Sequence, residues 1–276
     1  MALAASNLLR NRIVAITGAS QGIGRGIAVG CAQAGARVVV HHLGSDGARK
    51  DARGLVREIE EIRRDSGGLT GEEREGPAAI EVAGDIADPS TADEIVRAAV
   101  STYGRIDGLV SNAGICPFFS FLDIPHDVWR KTRSVNLDGA FYVVQAVAKQ
   151  MKEQQPQGGA IVAVSSISAL VGGGEQAHYT PTKAGVKSLM ESCAISLSPY
   201  KIRCNSVLPG TIETPINAED LSNPEKRAHM EKRIPLGRLG RPEDMAGPTV
   251  FLLSEMAQYV TGTSVLVDGG AFVNLQ

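Results

Sequence analysis

Short runs of apolar, β-branched residues recur along this chain with helix-length segments between them, and that rhythm limits the fold more than any other feature. The runs are Ile13–Thr17, Arg37–His41, Ala78–Ala83, Ile106–Ser111, Ala160–Ser165, Ile202–Val207 and Ser264–Asp268. They are continuous rather than alternating, which predicts parallel strands covered on both faces by the intervening helices. Leu55, Ile59 and Ile62 repeat at helical spacing, and Asp127 to Gln154 reads as one longer helix with Val128, Val135, Phe141 and Val144 among its apolar positions. Two stretches break the rhythm. Ser66 to Pro77, rich in Gly and Glu, reads as an exposed surface insertion. Pro209 to Pro235 is long and polar and begins at a strand end, where loops cover ligands in open α/β sheets. No repeat or domain boundary is evident, so residues 1–276 are read as one domain with a polar substrate lid at about 209–235.

Composition narrows the functional classes. Hydrophobic residues make up 43% of the chain and charged residues 21%, enough to build a sizeable core. A formal net charge of -2 gives no electrostatic case for nucleic acid or an anionic membrane as partner. No apolar run reaches the roughly 18 residues of a membrane span, and the start, Met1 to Asn11, lacks a basic segment followed by an apolar one. The expected location is the cytoplasm. Cys31, Cys116, Cys193 and Cys204 are too scattered for a paired metal-ligand motif and are read as reduced thiols, with no metal site expected.

Directly after the first strand stands Thr17-Gly18-Ala19-Ser20-Gln21-Gly22-Ile23-Gly24, followed by Ile27, Ala28 and Cys31 at helical spacing. Strand, glycine turn and helix in that order form a phosphate cradle, because glycines let the backbone approach a pyrophosphate and the helix N-terminus presents free N–H groups. The fold expectation is therefore a single-domain, doubly wound α/β sheet of the Rossmann type. Asn112-Ala113-Gly114 ends the fourth strand and Gly84-Asp85-Ile86 the third, the places where a dinucleotide lies in such a sheet. Asp85 could bind an adenine amine, with Ile86 offering its backbone; a turn or cap is the alternative for Asp85. At the end of the second strand, where an acid would bind a ribose hydroxyl and favour NAD, the chain reads His41-His42-Leu43-Gly44. The acid is missing at His42 and no Arg or Lys follows at once, which leaves NAD and NADP both open. The two histidines are read as a strand end facing the adenosine pocket rather than as metal ligands, since adjacent strand residues point to opposite faces.

Tyr179-Thr180-Pro181-Thr182-Lys183 places a phenol and an ammonium four residues apart at a helix start, with Pro181 compatible with the first turn. Such a spacing is common by chance. Ser166, thirteen positions upstream and just past a strand, adds a hydroxyl to the same cleft, although Ser165 and Ser168 are its neighbours. Bringing a phenol from its usual pKa near 10 to 7 requires about 4 kcal/mol. One cation at about 4 Å supplies about that much at an effective dielectric of 20. The predicted chemistry is hydride transfer coupled to proton transfer, with Ser166 holding the substrate oxygen. His178 is read as a structural neighbour of Tyr179 rather than a second base, and Trp129 and Cys116 as packing residues.

Together, the glycine turn, Asn112-Ala113-Gly114, Asn136, Ser166, Tyr179, Lys183 and Pro209-Gly210 resemble the short-chain dehydrogenase/reductase family over nearly the whole chain. The resemblance implies that Ser166 positions the substrate oxygen and Tyr179 is the acid/base. It implies that Lys183 binds the nicotinamide ribose and lowers the tyrosine pKa, and that Asn136 holds a water in a proton relay to Lys183. It further implies that Ile212 and Thr214 meet the nicotinamide carboxamide and phosphate, that the cofactor is NAD or NADP, and that the chain forms a homotetramer. A narrower resemblance, carried by the segments Ser165–Gly173, His178–Gly185 and Val267–Gly270 and the ending from Phe272 to Gln276, is to members that oxidise the anomeric carbon of L-rhamnose to a lactone. It tilts the cofactor weakly towards NAD. Ser168, Gln176, Thr211 and Asn217 would then offer donors and acceptors to a sugar substrate. The competing readings are a reductase of ketoacyl, steroid or polyol substrates on the same scaffold, and a cofactor-binding module without chemistry.

Overall fold

Seven strands form one parallel sheet in the order β3-β2-β1-β4-β5-β6-β7, in a computed structural model that describes residues 7–65 and 76–274. The strands are β1 (Ile13–Ile16), β2 (Arg37–His42), β3 (Ala79–Ala83), β4 (Gly108–Ser111), β5 (Gly159–Val164), β6 (Ile202–Pro209) and β7 (Ser264–Val267). Each of the seven expected runs supplies one. The order reverses between β1 and β4, so a crevice opens at their carboxyl ends.

Alternation along each strand feeds two cores. Val14, Ile16, Val38, Val40, Val162 and Val164 pack with Ile27, Cys31, Leu55, Ile59 and Leu252 on one face. Ile13, Ala15, Val39, Leu109, Ile161 and Ala163 pack with Ile95, Val143, Val147, Met151 and Met190 on the other. The helices that bring these residues are α1 (Gly22–Gln33), α2 (Asp46–Asp65) and α9 (Ala246–Leu253) on the first face, and α3 (Pro89–Tyr103), α5 (Gly139–Glu153) and α6 (Thr180–Leu197) on the second. Both faces of β1, β4 and β5 are largely apolar because both are covered. Helix α3 shows how the local sequence sets its ends: the Asp88 side chain accepts the Ser90 N–H at one end, and Gly104 closes the other at φ 81°.

Three expectations change. The long helix from Asp127 to Gln154 is two, α4 (His126–Arg133) and α5, joined by a π-helical turn at Ser134–Asp138 that contains Asn136. Trp129 does not pack inside: it is 42% exposed, and Phe141 is 44% exposed. The polar stretch from Pro209 to Pro235 is not a plain loop but carries a short 3-10 turn at Pro215–Asn217 and the helices α7 (Ala218–Leu221) and α8 (Pro224–Arg233). The insertion read at Ser66 to Pro77 lies, except for Gly76 and Pro77, outside the described residues. Among the described residues no helix is long and apolar enough to cross a membrane, and all four cysteines are free thiols.

Candidate active site

The crevice at the β1/β4 reversal deepens into a cavity of about 1020 Å³. Gly18, Ser20, Gln21, Gly22 and Ile23 line one side of it. The turn closes because Gly18 and Gly22 adopt φ of 62° and 56°, a region that side chains disfavour. Gly24 does not reach the cavity; a Cβ there would run into the Gly18 carbonyl oxygen, so its role is to let α1 start directly beneath the turn. Asn112 braces the turn from β4, its amide donating to the Thr17 and Gly18 carbonyls at 2.9 and 3.1 Å. Gln21 caps α1 without a side-chain hydrogen bond. A positive-φ turn feeding a helix N-terminus that no side chain caps is the donor set an anionic diphosphate needs. These residues could hold the pyrophosphate of a dinucleotide.

The two histidines separate as adjacent strand residues must. His41 lines the cavity, its Nδ1 accepting the Gly18 N–H at 3.2 Å and its Nε2 lying 3.0 Å from the Gly84 carbonyl oxygen. His42, the residue singled out from the sequence, is not brought to the cavity: it is wholly buried, its Nδ1 accepts the Gly44 N–H, and its Nε2 lies 3.9 Å from Glu81. Burial pushes the His41 imidazole down to about 4, so it is a neutral group in this wall at physiological pH. Leu43, Ser45, Ala48 and Asp51 complete this end of the cavity, and none was singled out from the sequence, because the acid-or-arginine pattern that would have marked them is absent. Asp85 and Ile86 line the cavity as expected. Lys131 of α4 donates to the Asp85 carboxylate at 2.8 Å, which, with the Ala87 N–H, holds that carboxyl below its usual range.

At the opposite end Ser166, Tyr179 and Lys183 converge. Tyr179 stands at the N-cap of α6 and Lys183 one turn later, which puts both on one side of the helix; the Lys183 ammonium sits 5.6 Å from the centre of the phenol ring. Lys183 is buried and donates to the Val164 carbonyl at 3.0 Å. The Ser166 hydroxyl lies near enough to the Tyr179 phenol to lower its pKa and accepts the Ser168 N–H at 3.1 Å, whereas Ser165 donates to the Lys183 carbonyl. Burial pushes the phenol above its usual value, the Ser166 hydroxyl pulls it back, and burial lowers Lys183 to about 8. At pH 7 the ammonium therefore keeps its charge. Asn136 does not line the cavity; its oxygen accepts the Ile115 N–H, and its amide donates to the Ile115 carbonyl and the Thr182 hydroxyl. It adjoins Lys183 across Gly114, where a Cβ would lie 3.3 Å from the Asn136 oxygen and 3.4 Å from the ammonium.

Asn112, Ala113, Gly114, Pro209, Gly210, Thr211, Ile212, Thr214 and Asn217 also line the cavity, as do Ser168 and Gln176, which bond the Ser166 hydroxyl and the Tyr179 N–H respectively. The Asn217 side chain is held within its own segment, accepting the Thr214 N–H and donating to the Ile212 carbonyl. Cys116, read as a packing residue, also faces the cavity and takes a 3.3 Å contact from the Gln176 amide.

With this geometry in place, comparison with known proteins decides the family. A family model described as enoyl-(acyl carrier protein) reductase matches residues 18–271. The chain belongs to the short-chain dehydrogenase/reductase family. It is 58% identical over 269 residues to an L-rhamnose 1-dehydrogenase (NAD(P)(+)) of Azotobacter vinelandii, covering 98% of this chain and 100% of that one. It is 51% identical over 271 residues to an L-rhamnose-1-dehydrogenase of Scheffersomyces stipitis, covering 98% and 100%. Among solved structures, a gluconate 5-dehydrogenase of Burkholderia cenocepacia in complex with NADP and tartrate superposes with a TM-score of 0.85 at 30% identity, over 97% of this chain and 98% of that one. The seven-stranded sheet and its helices are thus the fold of the short-chain dehydrogenase/reductase family.

Proposed function

We propose that this chain is an NAD(P)-dependent L-rhamnose 1-dehydrogenase, oxidising the anomeric carbon of the sugar to a lactone. The observation that carries the reading is identity of 58%, with full coverage, to a relative of that name, on a chain whose cleft unites Ser166, Tyr179 and Lys183.

Gly18, Ser20, Gln21, Gly22 and Ile23 would hold the pyrophosphate, Asp85 and Ile86 the adenine, Asn112, Ala113 and Gly114 the middle of the dinucleotide, and Pro209, Gly210, Ile212 and Thr214 its nicotinamide end. Bound there, the oxidised dinucleotide supplies the hydride acceptor and a positive charge near the phenol. Tyr179 takes the proton of the anomeric hydroxyl, and Ser166, whose hydroxyl lies beside the phenol, holds that oxygen. Lys183, charged at neutral pH, offsets the cost that burial adds to forming a phenolate. Asn136 extends the proton path from Lys183 through a water. Ser168, Gln176, Thr211 and Asn217 surround the sugar hydroxyls, with Asn217 acting mainly through the lid it ties together.

We read the assembly as a cytoplasmic homotetramer. The exposed apolar side chains Phe121, Leu122, Trp129 and Phe141, on and before α4 and α5 with Leu122 at 90% exposure, support association between copies.

The test is a panel of aldoses, polyols, ketoacyl esters and steroids with NAD and NADP, followed by absorbance of the reduced cofactor. Turnover is expected with L-rhamnose; none with it overturns the substrate assignment. Tyr179→Phe should retain dinucleotide binding, measured by fluorescence titration, and lose on the order of 10²–10⁴-fold in kcat. Full activity in that variant would refute the role of Tyr179.

A further inference from the structure

Two strips of chain, one following β4 and one preceding α6, are clasped together beside the phenol. The Phe119 N–H donates to the Glu175 carbonyl at 3.1 Å, the Gln176 amide contacts the Cys116 sulfur at 3.3 Å, and His178 Nε2 lies 2.7 Å from the Pro117 carbonyl oxygen. Phe119 and His178 add an edge-to-face ring contact, with centroids 6.1 Å apart. Cys116 and Phe118 of the first strip line the cavity, and so do Glu175 and Gln176 of the second. His178 does not line it and is wholly buried.

A carbonyl oxygen only accepts, so His178 Nε2 carries a ring proton. Nδ1 is itself buried and has no hydrogen-bond partner among the described residues. A ring with one nitrogen committed to a backbone carbonyl and the other cut off from water and from every donor has no route for passing protons to Tyr179. Its neighbourhood points to a mechanical part. Upstream of Cys116 the chain is already pinned, because Asn136 bonds both the N–H and the carbonyl of Ile115. Downstream of His178 the helix start is pinned too, the Tyr179 and Thr180 N–H groups both donating to the Gln176 carbonyl at 2.8 and 2.9 Å. Of the contacts that bridge the two strips, the shortest is His178 to Pro117.

We infer that His178 is a positioning residue that holds the Cys116–Phe119 wall of the substrate cavity in register with the Tyr179 phenol. The inference rests on the reading of Tyr179 as the acid/base. It assigns to a residue outside the cavity the distance between the group that moves the proton and the wall against which the sugar lies, a distance on which rate depends steeply.

His178→Phe keeps a ring against Phe119 and removes the donor; His178→Gln keeps a donor. In His178→Phe the KM for L-rhamnose should rise roughly tenfold and kcat should fall several-fold, as expected for a misplacement of well under 1 Å to about 1 Å. The Kd for reduced dinucleotide, read by fluorescence, should stay the same, because the glycine turn and its brace do not touch the clasp. His178→Gln should recover much of both losses. Alkylation by iodoacetamide, followed site by site by mass spectrometry, supplies a second readout: Cys116 should react faster in His178→Phe, while Cys193 keeps its wild-type rate. Unchanged KM together with unchanged Cys116 labelling overturns the proposal. If His178→Phe does not fold, the wild-type protein with isotope-labelled histidine decides by NMR: the Nε2–H tautomer is required, and an Nδ1–H tautomer refutes it. Wild-type protein inactive on L-rhamnose would overturn the substrate assignment instead, leaving the labelling and tautomer results to judge His178.

Discussion

Lys183 is an ammonium almost wholly withdrawn from water, with the Val164 carbonyl as its hydrogen-bond partner. The unfolded chain holds that proton up to about pH 10.5, the folded chain only to about 8. Between those values unfolding takes up a proton, so the stability of the wild type rises with pH across that window and carries the full penalty below it. The displacement corresponds to about 3 kcal/mol at neutral pH, and losing the Val164 hydrogen bond returns about 1 kcal/mol of that. Lys183→Met should therefore be more stable than the wild type at pH 7, by roughly 1–2 kcal/mol in urea unfolding, and the advantage should shrink between pH 8 and about 10.5 as turnover stays abolished. A variant that is less stable than the wild type at pH 7 contradicts this account. How far single residues could be recognised from sequence differs with the neighbourhood. Helix spacing and a strand end put Tyr179, Lys183 and a serine in one cleft, but the family resemblance is what separates Ser166 from Ser165 and Ser168 and lifts the pair above a common spacing. His41 and His42 were not, because β2 reads Arg-Val-Val-Val-His-His, apolar on both faces, and such a strand has no polar face to give its phase.

Among the α-helices of the described residues, α8 alone has no buried residue, with Met230 its contact to the small cluster of Leu221, Ile234 and Leu239. Its polar surroundings are met by exposed pairs such as Lys226 with Asp220 and Arg227 with Glu213. Such an element opens at low free-energy cost. Amide hydrogen exchange should find Pro224–Arg233 among the fastest-exchanging helical segments of the free enzyme and markedly slower with dinucleotide and sugar bound; exchange there as slow as in α6 would count against a lid. The sequence concealed α8 for the same reason that makes it loose. With no apolar stripe there is no helical period to read, and only Asn223 followed by Pro224, a capping residue before a first-turn proline, marks its start. The division of the Asp127–Gln154 helix was hidden differently, since a π turn changes the geometry of hydrogen bonding without any one residue type to signal it.

At the scale of the whole molecule, the exposed apolar side chains around α4 and α5 set the expected assembly. Light scattering of the wild type should return four chain masses, and the double substitution Leu122→Asp with Trp129→Asp should lower that number while leaving the circular-dichroism spectrum unchanged; a wild-type monomer would exclude the tetramer. Alternation of strands and helices carried the architecture from sequence alone, because each element of a doubly wound sheet announces itself locally. The pairing of β1 with β4 could not be read that way. Val14 lies beside Gly108 and Ile16 beside Val110, and the Asn112 amide reaches back to Thr17 and Gly18. This seam has a consequence in time. As the chain leaves the ribosome, at roughly 5–20 residues per second, the glycine turn is made early and then waits several seconds without its brace until β4 emerges. Tyr179 and the segment after β6 follow later still, so a growing chain acquires its glycine turn, the strand that braces it and Tyr179 in that order, and is least protected during the interval when β1 has one neighbour instead of two.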